Sequence, residues 1–183
     1  MTSLDASERT SRWPTRSALL NEAGAALLAA FGALCIAAWI LRDSLAHLHE
    51  TWGGGDSPAT YMNVKALLDH PWITPNPDLG WPYGLDSVAF PLTHTLPLLV
   101  LKVLVFITQD PVVTVNVFFL LSYPAAALTG FLLLRWAGVH RILSIILAAG
   151  FATVPWHAMR FHHLFYADYS MVPVAIFLLL SLI

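Results

Sequence analysis

The chain has 183 residues, of which 57% are hydrophobic and 11% charged. A soluble domain carries about 25% charged residues, and here the apolar residues gather in long blocks, so the composition reads as a membrane protein. The net charge of −2 is uninformative about nucleic acid, but no basic stretch interleaved with aromatics is present to track a phosphate backbone. One cysteine, Cys35, excludes an internal disulfide and a Cys/His metal motif.

Residues 1–16 form a polar tail with Arg9, Arg12 and Arg16, and the first apolar run follows as a span at about 20–42. The run is longer than the core of a signal peptide, which is roughly 7–15 residues. The arginines place the N-terminus in the cytoplasm. A mixed loop then covers 43–88. It holds Asp43, Glu50, Asp56, Asp69, Asp78 and Asp86 against Lys65, so the expected side is extracytoplasmic. In this loop three glycines precede Asp56, and Ser57-Pro58 follow it. Asp56 is a natural N-cap and Pro58 suits a first helical turn. Tyr61, Val64 and Leu68 recur on one helical face, which predicts a helix along the membrane surface, ending near Asp69. The prolines at 71, 75, 77 and 82 give turn chemistry beyond it.

Residues 89–107 are apolar but carry Pro91, His94, Pro97 and Lys102. They form either a full crossing or a re-entrant or juxtamembrane helix, and the polar interruptions favour the second form, although Lys102 can snorkel from a full span. The choice fixes the rest. A full crossing separates Asp56 from the later polar cluster, whereas a juxtamembrane helix puts both outside and the basic turn Arg135–Arg141 inside. Gln109-Asp110-Pro111 starts a new helix, and spans follow at 112–134 and 142–159, with Pro124 and Pro155 as expected irregularities. Residues 171–183 open another apolar run. It is shorter than the roughly 20 residues of a crossing, so it reads as a truncated span or an interfacial helix. The fold class expected is an all-α membrane protein. Its polytopic transmembrane bundle (17–183) has a long first extracytoplasmic loop carrying juxtamembrane helices.

Two groups of residues can carry chemistry. Asp56 is either an N-cap or a general base towards a hydroxyl, with flexible backbone beside it for a ligand. Arg160, His162, His163 and Asp168 form the second group. They can bind a phosphate or a divalent metal, or serve only as the polar part of an interfacial belt with Trp156, Phe161, Phe165, Tyr166 and Tyr169. Adjacent histidines on a helix point about 100° apart, which counts against a metal. Asp86 reads as a turn former. No nucleotide-cofactor motif is present.

The stretch GGGDSPATYMNVKALLDHPWITPNPDLGWPYGLD with the FPL at 90–92 resembles the first outer loop of bacterial membrane glycosyltransferases of the GT-C superfold. DPVVTVNVFFLLSYPAAALTGFLLLRWAGVHR resembles the following span and its basic turn. VPWHAMRFHHLFYADYS is similar to the next span end, where oligosaccharyltransferase catalytic subunits have a proline, an arginine and then acids. The resemblance implies an enzyme of the cell membrane that moves a sugar from a polyprenyl-phosphate-linked donor to a glycan, lipid or protein acceptor on the outer face. It gives Asp56 the role of catalytic base and maps Asp168 loosely onto the later acid, with a cation or Arg160 balancing the leaving phosphate. It implies single displacement with inversion, and a longer parent of which this chain is the N-terminal part. A membrane transporter and a non-catalytic membrane protein are the competing readings. A transporter would place its acids within spans, and this chain keeps six of its eleven in one loop.

Overall fold

A computed structural model describes residues 16–52, 57–72, 77, 82–84, 95–163 and 168–182; the side chains of Arg16 and His162 lie outside that set. The described residues are helical, with no strand. In chain order they form α1 (Arg16–Ile40), α2 (Arg42–Leu45), α3 (Ser57–Asp69), α4 (Thr95–Thr108), α5 (Pro111–Trp136), α6 (Arg141–Ala152) and α7 (Pro155–Met159). A 3₁₀ turn at Phe161–His163 and α8 (Val172–Ser181) follow. Three stretches are long and apolar enough to cross a membrane: Ser17–Ile40, Pro111–Trp136 and Arg141–Met159.

The three long helices meet through small residues. α1 buries Ala26, Ala29, Ala33 and Ala37, which recur every three or four positions, with Ala25 and Ala30 beside them on the same face. Ala25, Ala26 and Ala29 pack on Phe131 of α5 and Ala148 of α6. Ala33 packs on Ala126, Ala127 and Ala152. α5 is therefore antiparallel to both α1 and α6. In lipid, apolar surface gains little from leaving the solvent, so such close backbone approach supplies the association energy through van der Waals contact. Gly130 shows the limit, since a Cβ there would lie 3.3 Å from Phe151 Cδ1.

Charge fixes which ends coincide. Glu22, in the second turn of α1, takes hydrogen bonds from Arg135 Nε (2.8 Å) and Nη2 (2.9 Å) at the end of α5. Arg141 Nη2 at the start of α6 reaches the same carboxylate at 3.0 Å. The basic turn 135–141 thus sits at the N-terminal end of α1. The segment after α1 sits at the other end, where Asn116 Nδ2 of α5 donates to Leu48 O (2.8 Å) and Glu50 O (2.9 Å).

α3 occupies the stretch where the sequence predicts a helix, but its setting differs. Rather than one apolar stripe along a surface, it buries Ser57, Thr60, Tyr61, Asn63, Val64, Ala66 and Leu67. α4 and the first half of α5 cover it, with Leu98, Leu101, Val105, Val115 and Phe119 in the shared core. The sequence missed this because Thr60 and Asn63 look solvent-facing by type. α4 has 14 residues. It spans about 21 Å at 1.5 Å per residue, less than the hydrocarbon thickness of about 30 Å. Lys102 of α4 is half-buried and turned onto α3. Its Nζ donates to Leu67 O and to His70 O (2.9 Å), closing the C-terminal end of α3.

The expected break at 109–111 has a local cause. Gln109 takes φ +56°, and Asp110 caps α5 through Oδ1, accepting from Val112 N (2.8 Å) and Val113 N (3.1 Å). Burial works against the Asp110 charge, but the Val113 amide, His49 and the Val112 amide outweigh it and hold the carboxyl below its usual value. A depressed carboxyl stabilises the fold above its unfolded pKa, near 4, and the contribution is lost as pH falls through the folded value. Asp110→Ala is expected to cost about 1 kcal/mol in unfolding in detergent at neutral pH, and Asp110→Asn much less. The difference between wild type and Asp110→Ala should shrink below about pH 4. An equal gap at pH 3 and pH 7 would contradict this role.

α5 continues through Pro124 as one helix, and Pro155 opens α7 as its first residue after a break at Thr153-Val154. The apolar run at 171–183 forms α8, ten residues long, with Pro173 buried.

Candidate functional site

The site is assembled where two segments far apart in sequence meet. Trp52 precedes the three glycines and Asp56, and its ring packs on that of Phe161 with centroids 6.1 Å apart. Its indole Nε1 donates to His47 O at 3.0 Å, which fixes the ring. Phe161 is buried and meets Phe119 of α5 edge-on at 4.8 Å. Ser57, the residue after Asp56, is buried at the start of α3, and α3 packs against the turn Phe161–His163. Asp56 itself lies outside the described residues, as does Asp86. Its two flanks, Trp52 and α3, are thus both held against the later segment.

Arg160 directly precedes Phe161. Its guanidinium carbon lies 3.6 Å from the centre of the Trp156 ring, a cation–π stack that orients the planar fork. Arg42 pairs with Asp43 at 3.7 Å, Lys65 with Asp69 at 2.6 Å, and Arg135 and Arg141 with Glu22. Arg160 has no such carboxylate partner among the described residues. A half-buried guanidinium stacked on an exposed indole retains its donors for an anion.

The other expected residues are placed less tightly. His163 N donates to Arg160 O (2.9 Å) within the turn, and its side chain is half-buried. His162 belongs to the same turn. Asp168 is half-buried and accepts from Ser170 N through Oδ1 (3.2 Å), a local turn that starts the approach to α8. Among the described residues no three His, Cys, Asp or Glu side chains gather closely enough to hold a metal ion.

Beneath this surface lies a polar group that the sequence reading did not single out. His157, fully buried, stacks face to face on Tyr123 with centroids 3.7 Å apart and planes 4° from parallel. Its Nδ1 lies 2.8 Å from Ala152 O, and its Nε2 lies 2.6 Å from Ser122 Oγ. Tyr169 Oη donates to Phe151 O at 2.8 Å and to Ala152 O at 3.3 Å. The cause is Pro155. It has no N–H to give Phe151 O, and the break deprives Ala152 O of its helical donor too. Tyr169 and His157 supply the missing protons, as membrane helices require where they are interrupted. Burial pushes the Tyr169 phenol up to about 12, so it stays a donor at any physiological pH. An ionisable side chain inside an apolar run was the available signal, and His157 is the one in this span.

No family model, curated protein or solved structure matches the chain. Function is therefore read from the site and its chemistry.

Proposed function

We propose that this chain is a polytopic protein of the cell membrane that takes part in sugar transfer from a polyprenyl-phosphate-linked donor to an acceptor on the extracytoplasmic face. Asp56 is the base. It accepts the proton of the acceptor hydroxyl as the oxygen attacks the anomeric carbon, and the lipid phosphate leaves. Arg160 meets the developing charge on that phosphate. One displacement gives inversion at the sugar.

The observation that carries this reading is the packing of Trp52 on Phe161. It holds Trp52, the residue that leads into the glycine-Asp56 stretch, against the residue that follows Arg160, and this supports a reading in which the base and an anion-binding cation work at one end of the bundle. The opposite end carries the basic turn 135–141 joined to Glu22. By the excess of positive charge we assign that end to the cytoplasm. α4 then lies in the outer half of the bundle with α3 rather than crossing.

Thiol labelling tests the shared face. In a Cys35→Ala background, Asp56→Cys is expected to react with an impermeant thiol reagent added to intact cells, and His140→Cys only after permeabilisation. Labelling of position 56 only after permeabilisation would separate the base from the outer face and overturn the reading, and labelling of position 140 in intact cells would contradict the cytoplasmic assignment of the basic turn.

A further inference from the structure

We propose that His157 is a proton-binding site built into the interior of the bundle, at the joint between α5 and α7. The inference rests on counting protons. Three contacts form a chain: Nδ1 of His157 to Ala152 O at 2.8 Å, Nε2 to Ser122 Oγ at 2.6 Å, and Ser122 Oγ to Phe119 O at 2.6 Å. Both ends of the chain are carbonyl oxygens, which only accept. Nδ1 must therefore carry a hydrogen, and in the neutral ring Nε2 is bare. The serine hydroxyl then has one hydrogen and two acceptors at equal distance. Neutral histidine and serine together fill two of the three contacts.

One added proton fills the third. It binds Nε2, which then donates to Oγ, and the hydroxyl hydrogen swings from Nε2 to Phe119 O. No heavy atom has to move and no existing contact is lost. In the neutral form Phe119 O still accepts its helical N–H within α5, so both forms are hydrogen-bonded and the site can hold either.

Full burial works against a cation at this ring, while the Nδ1 contact with Ala152 O, the neighbouring aromatic faces and the Asp168 carboxylate work for it. The Tyr123 ring lies flat on the imidazole at 3.7 Å, and the Tyr169 ring approaches at 4.9 Å. Aromatic faces attract a cation most strongly where water is excluded. From the segment before α8, the Asp168 carboxylate acts on the ring through space. Tyr123 of α5, Tyr169 and Asp168 are the titratable groups that face His157 from neighbouring elements among the described residues. On its own element, Arg160 points its charge onto Trp156. The Tyr123 hydroxyl is buried without a partner among the described residues, so it does not compete for the ring's proton. Binding turns the Nε2–Oγ contact into a charge-assisted one, so the hold of α5 on α7, and with it on the Arg160 turn, responds to pH.

The test is a nitrogen NMR titration of the His157 ring in the whole chain, reconstituted in lipid nanodiscs. At neutral pH the expected spectrum is that of the Nδ1–H tautomer alone. On acidification Nε2 should gain its proton while the circular dichroism of the bundle is unchanged. Ser122→Ala should lower the midpoint by about one pH unit, the size of one lost charge-assisted hydrogen bond. Ser122→Thr, which keeps the hydroxyl, should stay near wild type. An Nε2–H tautomer at neutral pH, no titration before the helices unfold, or the same midpoint in Ser122→Ala would each overturn the proposal. Should Ser122→Ala fail to fold, the wild-type tautomer and titration still decide it.

Discussion

Asp56→Asn is expected to abolish sugar transfer while leaving the protein inserted and folded. The amide keeps the size of the side chain and still caps a helix, so α3 should begin at Ser57 as before. It has far too little proton affinity to deprotonate a hydroxyl. General-base catalysis alone is worth about 10²–10⁴-fold in rate, and a fall of that size is the expected readout. The assay is transfer from a polyprenyl-phosphate sugar pool in membranes that carry each variant at matched levels. Asp86→Asn is the internal comparison. Asp86 reads as a turn residue, so its loss should be much milder. Full activity in Asp56→Asn would remove the base from the mechanism, and equal loss in Asp86→Asn would show that the two carboxylates share the work.

The largest expected effect on stability is at Phe119. Its side chain is 1% exposed and is met edge-on by Phe161 at 4.8 Å, Tyr123 at 5.5 Å and His157 at 5.6 Å. It is the ring that joins the α3–α4 core to α7 and to the turn that follows Arg160. Phe119→Ala should cost about 3–5 kcal/mol, because the neighbouring rings are held by helices and cannot collapse into the space. Unfolding in one detergent at fixed pH measures it. Leu132→Ala is the control on the same helix. Leu132 is 60% exposed within the bundle, so its loss should fall within about 0.5 kcal/mol of wild type. The Phe119 variant should also weaken the packing of Trp52 on Phe161, and Trp52 fluorescence in a chain without the other tryptophans would report it. Equal stability of the two variants would mean that Phe119 does not join these elements.

What could be read from the sequence was local. Asp110 before Pro111 announced a capped helix start, and the same logic at Ser57-Pro58 placed α3, because a cap and its helix are settled within four residues. The three long apolar runs announced themselves by length alone. What could not be read was the pairing of distant residues. Glu22 looks like a stray acid in an apolar helix until Arg135 and Arg141 meet it. Asn116 looks like a polar interruption of α5, yet it holds Leu48 O and Glu50 O and takes the Tyr61 hydroxyl at 3.4 Å. For the site, the sequence named Asp56 and Arg160 but gave no distance between their segments. That link is Trp52 on Phe161, and two aromatic residues over a hundred positions apart carry no mutual signal. Pro155 signals an interruption in the sequence, but which side chains feed the carbonyls it leaves open depends on Tyr169 and His157 meeting them in space.

Sugar transfer itself is most directly measured with a radiolabelled polyprenyl-phosphate sugar added to membranes of the native host and of a strain lacking the gene. Label is expected to pass to an acceptor only in the first, with the anomeric configuration inverted in the product. Equal transfer in both membranes, or a product that retains the donor's configuration, would contradict it.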